Sequence, residues 1–350
     1  MAAKDIVVIG ASAGGIDALK IFVAALPRDL EAAIFITLHV APYSSGILPE
    51  ILERAGPMPA SNAKDWEPIH HGRIYVAPPD YHLLFEKDGY IRTTRGPREN
   101  RFRPAVDPMF RAAAYCFGPR VIGVILSGWL DDGTAGLRTV RERGGTTIVQ
   151  HPDDAFAPSM PLNAIKHVEI DQILAAKDIG PMLVNTVNTA AIEEVPHPVS
   201  EELELEVKIA KEAKALESGI LKWGKPSIYT CPECHGVLLQ RSEGNTIRFR
   251  CHTGHAYSAD SLLAEFGVKT EETLWSAIRA LEENHLFMRS LAQHSAECRD
   301  GVNCDSWVKK ADEMQDRVNL VRKALTSPEP RRPTQDEHTT QEPSAARQKQ

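Results

Sequence analysis

Apolar residues in the first half of the chain alternate between short unbroken runs and helically spaced positions. Residues 5–9 (DIVVI) form such a run, and apolar residues then recur three and four apart at Ile16, Leu19, Phe22, Val23 and Leu26. The same pattern predicts further strands at residues 33–38 and 121–127, with shorter ones at 146–150 and 168–170. Strands that alternate with helices predict an α/β domain over residues 1–192, a doubly wound and mainly parallel sheet with helices on both faces.

The second half of the chain has a different pattern. Residues 193–225 are predicted to hold a charged linker helix, and residues 226–258 a small cysteine-rich module with a hairpin at 237–239 and 247–249. Residues 259–326 are predicted to be helical, with a break near Gly301 that pairs two helices antiparallel. Residues 327–350 are polar and contain four prolines, so they are expected to form a disordered tail.

Composition narrows the class of protein. The chain has 350 residues, of which 43% are hydrophobic, and a formal net charge of -7. A negative balance argues against a nucleic-acid partner, and no apolar stretch approaches the length of a membrane span. The first strand starts a few residues after Met1, which leaves no room for a signal peptide. These features predict a soluble, cytoplasmic protein without membrane insertion.

Ser12 lies in a glycine-framed turn between the first strand and the first helix, with Gly10, Gly14 and Gly15 around it. Such a turn has three uses. The serine can cap the helix, the backbone can bind the pyrophosphate of a dinucleotide, or the hydroxyl can act as a nucleophile at the end of a sheet. The turn alone leaves all three open.

Two further strand ends favour the nucleophile. A dinucleotide site calls for Asp or Glu at the end of the second strand, but His39 stands there, which is a poor ribose ligand and a good base. The strand at 121–127 runs into a turn with Asp131 and Asp132, either of which could cap the next helix. Because parallel strands deliver their carboxyl ends to one edge of a sheet, Ser12, His39 and an aspartate could meet there.

Several segments together resemble the catalytic domain of the CheB-type protein-glutamate methylesterases. The resemblance runs in order from residue 5 to about 190, through these segments: residues 10–15 (GASAGG), His39 with Pro42, residues 75–79 (YVAPP) with His82, Arg103-Pro104 with residues 106–108 (VDP), and residues 127–133 (SGWLDDG). It implies that Ser12 is the nucleophile, His39 the general base and Asp132 the carboxylate that orients the imidazole. Asp131 is expected to be a solvated or capping neighbour.

The resemblance also implies a reaction. The family hydrolyses glutamyl methyl esters on the cytoplasmic helices of chemoreceptors through an acyl-enzyme, with deamidation of receptor glutamines as a second activity and without a cofactor. Other chemotaxis signalling proteins are implied as further partners. We expect the backbone N–H groups of Ala13 and Trp129 to form the oxyanion hole, because both turns converge on the same edge.

Two features depart from the typical family member. The turn before the aspartate reads Gly128-Trp129-Leu130 instead of Gly-Met-Gly, so a bulkier residue lines the substrate edge. The chain also begins at the first catalytic strand rather than with a receiver domain. Regulation by a phosphoaspartate of this chain is therefore not expected.

The cysteine-rich module carries metal-ligand spacing. Cys231 and Cys234 are followed by Cys251 and by two histidines, His252 and His255, which compete as the fourth ligand. His255 is preferred, since Gly254 can turn the chain so that both donors converge. Three thiolates and an imidazole would form a closed, structural zinc site that resembles a zinc ribbon.

Two other functions remain open from the sequence. The α/β fold could serve as a non-catalytic docking module in a signalling assembly, with the cysteine-rich module and helices as its platform. The glycine turn could also belong to a nucleotide-binding enzyme, although the acidic partner of the ribose is absent.

Overall fold

The structure of the protein, a computed structural model, describes residues 3–187, 189–191, 198–297 and 301–326. The tail predicted at 327–350 lies outside these residues. Contacts divide the chain into two units, the first running to Phe266 and the second beginning at Gly267.

The first unit begins with an α/β part. Its helices are α1 (Gly15–Ala24), α2 (Leu48–Ala55), α3 (Val106–Phe117), α4 (Thr134–Glu142), α5 (Ser159–His167) and α6 (Ala176–Thr186). Its strands are β1 (Ile6–Ala11), β2 (Ala33–Leu38), β3 (Ala60–Asn62), β4 (Arg73–Val76), β5 (His82–Phe85), β6 (Ile91–Thr94), β7 (Val121–Ile125), β8 (Thr146–Gln150) and β9 (Gln172–Leu174).

Seven of these strands form one parallel sheet in the order β3-β4-β2-β1-β7-β8-β9. Side chains alternate across it: Ile6 and Val8 of β1 face one core with Phe110 of α3, and Val7 and Ile9 face the other. Helices α3, α4 and α5 cover the first face, and α1, α2 and α6 cover the second. The predicted doubly wound α/β fold is confirmed.

One predicted strand is wrong. Residues 168–170 do not form a strand, because Val168 still donates its backbone N–H to Ala164 O and ends α5. The edge strand of the sheet follows a few residues later, at Gln172–Leu174. The segment contains only two apolar residues, so its pattern could not separate a helix end from a short strand.

The rest of the first unit packs onto the α/β part. Helix α7 (Glu201–Glu212) precedes a four-stranded antiparallel sheet in the order β10-β11-β12-β13, formed by β10 (Lys225–Thr230), β11 (Val237–Glu243), β12 (Thr246–Cys251) and β13 (Ala256–Ser258). The predicted hairpin is β11 and β12. Helix α7 lies against the α/β part, since Thr94 donates to the Ala210 carbonyl and Lys211 pairs with Glu86. The boundaries placed at 192, 225, 258 and 326 stay a prediction.

Two long helices account for most of the second unit. Helix α8 (Ala259–Glu297) begins in the first unit, and α9 (Gly301–Thr326) follows it. Arg289 pairs with Asp312 at 2.7 Å, and His285 Nδ1 lies 2.9 Å from the Ala311 carbonyl oxygen. Glu282, earlier on α8, pairs with Arg322, later on α9. The predicted antiparallel pairing is thus confirmed.

Candidate active site

Ser12 follows β1 at the centre of the sheet, where the strand order changes direction. Strand β2 lies on one side of β1 and β7 on the other, and open α/β sheets place ligands at such a switch point. Ser12 N donates to Ser127 O at 2.9 Å, and His39 N donates to Ala11 O at 3.1 Å. The backbone ladder therefore brings the ends of three adjacent strands together.

The turn at Ser12 does not use its side chain as a helix cap. The N-cap of α1 is Gly14, at φ 74°, and no side chain caps the helix. A Cβ on Gly14 would stand 2.5 Å from Phe156 Cβ and 2.8 Å from Ser127 Oγ, so both the left-handed conformation and the close packing require glycine. Ser127 Oγ holds the turn by donating to Ala13 O at 2.7 Å.

His39 and Asp132 form a buried pair. His39 Nε2 lies 2.7 Å from Asp132 Oδ2, and both side chains are 2% exposed. The other ring nitrogen, Nδ1, is buried and has no hydrogen-bond partner among the described residues, Ser12 included. Because a carboxylate can only accept, Nε2 is the nitrogen that donates to Asp132, and in a neutral imidazole Nδ1 is then the nitrogen that can accept a proton.

The N-terminus of α3 surrounds Asp132 with donors. The first backbone N–H groups of a helix lack intrahelical partners, and here Val106 N donates to Oδ2 at 2.7 Å and Asp107 N to Oδ1 at 3.2 Å. Asn100 Nδ2 donates to Oδ1 at 2.9 Å. Burial acts to raise the pKa of Asp132, but His39 and these hydrogen bonds outweigh it and lower the pKa. Asp132 is therefore held as a carboxylate.

Phe102 and Asn100 were not predicted as site residues. The Phe102 ring stacks on the His39 imidazole with centroids 3.7 Å apart and an angle of 7° between the planes, which fixes the ring that Asp132 orients. Both residues lie in the loop before α3, beside the Arg103-Pro104 segment that carried part of the family resemblance. That loop is held at its base by His82, whose Nε2 lies 2.9 Å from Pro97 O.

The two backbone groups predicted for the oxyanion hole are available. Within the described part of the chain, the N–H groups of Ala13 and Trp129 donate no hydrogen bond. A Cβ built on Gly128, the residue before Trp129, would stand 2.8 Å from Ser12 Cβ, so the second turn reaches the serine directly. Both N–H groups thus belong to turns that border Ser12.

Asp131 is not the solvated or capping neighbour that the sequence suggests. Its Oδ1 accepts a 2.7 Å hydrogen bond from Ser258 Oγ, and burial raises its pKa to about 6. The cap of α4 is Gly133, at φ 95°, without a side-chain cap. Because Asp131 bonds to Ser258 and Asp132 to His39, the two neighbouring carboxylates have separate surroundings.

The predicted metal ligands also come together. One ligand atom from each of Cys231, Cys234, Cys251 and His255 lies within 4.8 Å of the others. Cys234 and Cys251 Sγ are 3.5 Å apart, and His255 Nδ1 lies 3.7 Å and 3.6 Å from Cys231 and Cys251 Sγ. Tetrahedral zinc with Zn–S bonds of about 2.3 Å needs sulfur atoms roughly 3.8 Å apart, so the donor set fits the ion.

His255 also has the partner expected of a metal-bound imidazole. Its second nitrogen, Nε2, lies 3.4 Å from Glu233 Oε2, and Tyr257 donates to the other oxygen of that carboxylate at 3.0 Å. Ligating histidines usually donate their free N–H to a carboxylate or carbonyl. In the described residues His252 is not part of the cluster.

The sheet is parallel, has helices on both faces and carries a serine beside a buried His–Asp pair at adjacent strand ends. These features define an α/β enzyme of the hydrolase class. The chain belongs to the CheB methylesterase family, whose sequence model matches residues 7–183. The resemblance found in the sequence is thereby confirmed.

Relatives of known name agree with this assignment. A protein of Leptospira interrogans, provisionally named protein-glutamate methylesterase/protein-glutamine glutaminase, is 38% identical over 180 residues, which are 51% of this chain and 93% of that protein. A Rhodospirillum rubrum protein named protein-glutamate methylesterase/protein-glutamine glutaminase 1 is 35% identical over 53% of this chain, which spans 49% of that relative. The chain is thus a member of a family of hydrolases.

The fold has a solved counterpart. The crystal structure of the Thermotoga maritima CheB methylesterase catalytic domain superposes with a TM-score of 0.51 at 30% identity, covering 53% of this chain and 99% of that domain. Among the described helices, none combines the length and apolar character that crossing a bilayer requires.

Proposed function

We propose that this protein is a protein-glutamate methylesterase that acts on methylated glutamates of chemoreceptor helices in the cytoplasm, and that it deamidates glutamines at the same site. The observation that carries the proposal is the buried pair of His39 and Asp132, 2.7 Å apart, at the strand end next to Ser12. Membership of the family and the names of its relatives support the substrate class.

In the proposed acylation, Ser12 Oγ attacks the ester carbonyl while His39 Nδ1 takes the hydroxyl proton. Asp132 stabilises the imidazolium that forms, through the hydrogen bond at Nε2. The tetrahedral oxyanion accepts hydrogen bonds from the N–H groups of Ala13 and Trp129. Collapse breaks the ester C–O bond, and the proton on Nδ1 leaves with methanol.

Hydrolysis of the acyl-enzyme repeats these roles with water as the nucleophile. His39 Nδ1 takes a proton from water as it attacks the acyl carbonyl, then returns the proton to Ser12 Oγ. The product is glutamate. When the substrate is glutamine, the first step expels ammonia instead of methanol, and the same acyl-enzyme follows.

An exposed apolar rim beside Ser12 suits a protein substrate. Trp129 is 58% exposed in the turn next to Ser12, and Phe156 is 78% exposed next to Gly14, two residues after the serine. Large apolar side chains left in water at a site edge indicate a surface that another macromolecule covers. The bulkier residue at position 129 therefore fits a helix that lies across the site.

Labelling of Ser12 tests the nucleophile. We expect a fluorophosphonate to label the protein at Ser12 by mass spectrometry, and labelling and methanol release from methylated receptor to be lost together in His39→Ala. The reason is that Ser12 needs the imidazole to remove its proton. Ser44→Ala, which changes an exposed serine in the loop after β2, is the matched control and should still be labelled.

Normal labelling and turnover in His39→Ala would contradict the proposed triad. Full labelling of Ser12 without methanol release from any methylated receptor helix would instead favour the docking module, because the reactive serine would then have no ester substrate. Saturable binding of a dinucleotide by calorimetry would favour a nucleotide-binding enzyme.

We also propose that Cys231, Cys234, Cys251 and His255 bind one structural zinc ion, within a module formed by residues 226–258. The donor spacing and the Glu233 carboxylate on His255 Nε2 support this assignment. Four protein ligands leave no open position for water, so the ion would stabilise the fold and would not activate the water that hydrolyses the ester.

Metal content tests the ligand set. We expect one zinc ion per chain by native mass spectrometry, and roughly 100-fold weaker binding or more in His255→Ala, since removal of a ligand costs more than loss of an outer partner. His252→Ala is the matched control, with the neighbouring histidine changed, and should keep the ion. Zinc loss in His252→Ala but not in His255→Ala would reverse the assignment.

A further inference from the structure

Asn100 connects the carboxylate of Asp132 to the cysteine-rich module of residues 226–258. Its two amide N–H groups donate to Asp132 Oδ1 and to Asp107 Oδ2, both at 2.9 Å. Its carbonyl oxygen accepts from Ser258 N at 2.9 Å and from Ser261 Oγ at 3.1 Å. The Asn100 side chain is therefore oriented at one end by the last residue of the module and the first turn of α8, and bonded at the other to the group that orients His39.

The backbone around Asn100 is held by the same module. Asn100 N donates to Ala256 O at 2.8 Å, and Ala256 N donates to Arg98 O at 3.2 Å. Asn100 is 2% exposed and has a positive φ of 49°. A non-glycine residue in this conformation needs surrounding contacts to hold it, and strand β13 supplies them.

Arg248 forms a second connection between the module and the residues around Asp132. From strand β12 it donates to Asp107 Oδ2 at 3.1 Å and pairs with Glu99. Asp107 Oδ1 in turn accepts the N–H groups of Gly133 and Gly136, at 3.1 Å and 2.6 Å, at the start of the helix that follows Asp132. Burial and the neighbouring Asp132 raise the pKa of Asp107 to about 7, and the positive charge of Arg248 opposes this increase.

The proposed metal ligands lie in the turn that joins these two strands. Cys251 is the last residue of β12, and His255 directly precedes β13. Cys251 N donates to His255 O at 3.0 Å, and Arg250 Nη1 donates to Gly254 O at 2.8 Å. A metal ion bound by Cys251 and His255 would fix this turn and, with it, the strands that carry Arg248 and Ser258.

We propose that the cysteine-rich module positions the Asp132 carboxylate, with Asn100 as the positioning residue and Arg248 as its support. Metal binding to the module would then set the rate of ester hydrolysis. The inference rests on the proposed esterase function. Misplacement of a catalytic group by about 1 Å can cost roughly 100-fold in rate, and every contact to Asn100 Oδ1 given above comes from residues after His255.

Three samples test the inference: Asn100→Ala, Ser261→Ala, and the parent protein after zinc removal by a chelator. We expect kcat on a small acetate ester to fall 10- to 100-fold in Asn100→Ala and after zinc removal, with KM unchanged, and less in Ser261→Ala. Zinc added back should restore the stripped protein. The matched control is Asn245→Ala, which removes another contact of the module, to His167 at 2.9 Å.

A second measurement does not depend on turnover. The proton shared by His39 Nε2 and Asp132 should give a far-downfield NMR signal in the parent, which should shift or broaden in the same three samples and stay unchanged in Asn245→Ala. If the parent hydrolyses no ester, the esterase proposal fails, and this signal still decides whether the module acts on Asp132.

Parent-like kcat and an unchanged downfield signal in Asn100→Ala and Ser261→Ala would overturn the inference. So would loss of the signal only after zinc removal, because the metal would then act by a route that does not pass through Asn100. Circular dichroism of each sample identifies global unfolding, and the two variants decide the result if the stripped protein unfolds.

Discussion

Replacement of Asp132 by asparagine is expected to lower kcat about 10,000-fold while the protein stays folded. Both oxygens of the Asp132 carboxylate act only as hydrogen-bond acceptors. Oδ2 accepts from His39 Nε2 and Val106 N, and Oδ1 accepts from Asn100 Nδ2 and Asp107 N. An asparagine amide must place its NH2 group against one of these two sets of donors.

Either orientation damages the site. An NH2 group at the Oδ2 position faces Val106 N–H and can bond only to an unprotonated Nε2, which moves the imidazole proton to Nδ1 and removes the base. An NH2 group at the Oδ1 position faces Asn100 and Asp107 N–H without an acceptor, which displaces the side chain. In both cases the imidazolium also loses its stabilising negative charge.

The measurement is steady-state kinetics of methanol release, with circular dichroism as the check of folding. Asp131→Asn is the matched control, because Asp131 bonds to Ser258 and makes no hydrogen bond to His39. We expect its kcat to stay near that of the parent. A kcat of Asp132→Asn within tenfold of the parent, or a larger loss in Asp131→Asn, would contradict the assignment of the carboxylate.

The sequence could predict where the site lies because the relevant signals are local. Strands at 33–38 and 146–150 agree with β2 and β8 in both bounds. In a parallel sheet the residues after β1, β2 and β7 must share an edge. That rule places Ser12, His39 and an aspartate at one edge without knowledge of the packing, and the family resemblance selects Asp132 rather than Asp131.

The residues that orient this site could not be predicted in the same way. Phe102 and Asn100 lie in the loop between β6 and α3, which has no apolar period, and they reach His39 and Asp132 through tertiary contacts. The short strands β3 to β6 were missed for a related reason. Runs of three or four residues give no reliable period.

The surface that joins the cysteine-rich module to the α/β part also could not be predicted from the pattern of apolar and polar residues. Arg248 and Arg250 alternate with apolar residues along β12, which is typical of a strand with one face in water. In the structure both arginines are 3% exposed. Three carboxylates from distant segments cover that face of β12: Glu99, Asp107 and Glu206. An alternating pattern shows that a strand has two different faces but does not identify the residues that pack against them.

Glu99→Gln is expected to destabilise the first unit by about 3–5 kcal/mol, because it leaves buried arginines without their counter-charge. Glu99 accepts from Arg111 at 2.6 Å and from Arg250 at 3.3 Å on Oε2, and pairs with Arg248 through Oε1. All four side chains are 6% exposed or less. Removal of one negative charge therefore leaves a net positive charge out of water.

The loss of stability in Glu99→Gln should depend on pH and should become smaller in acid. Burial acts to raise the pKa of Glu99, but the three arginines outweigh it and hold the pKa well below its usual 4.5. A carboxylate with a lowered pKa contributes stability above its unfolded value, and this contribution is lost as the pH falls through the native pKa. The difference between parent and variant should therefore be largest near neutral pH and shrink in acid below about pH 4.5.

Urea unfolding of both proteins across this pH range measures the difference, with Asp65→Asn as the control. Asp65 also pairs with an arginine, Arg92, but is 42% exposed, so its loss should cost less than about 1 kcal/mol. The double variant Glu99→Gln with Arg248→Gln removes one charge of each sign and should recover part of the loss. If Glu99→Gln unfolds at the same urea concentration as Asp65→Asn, the buried charge cluster does not hold the module to the α/β part.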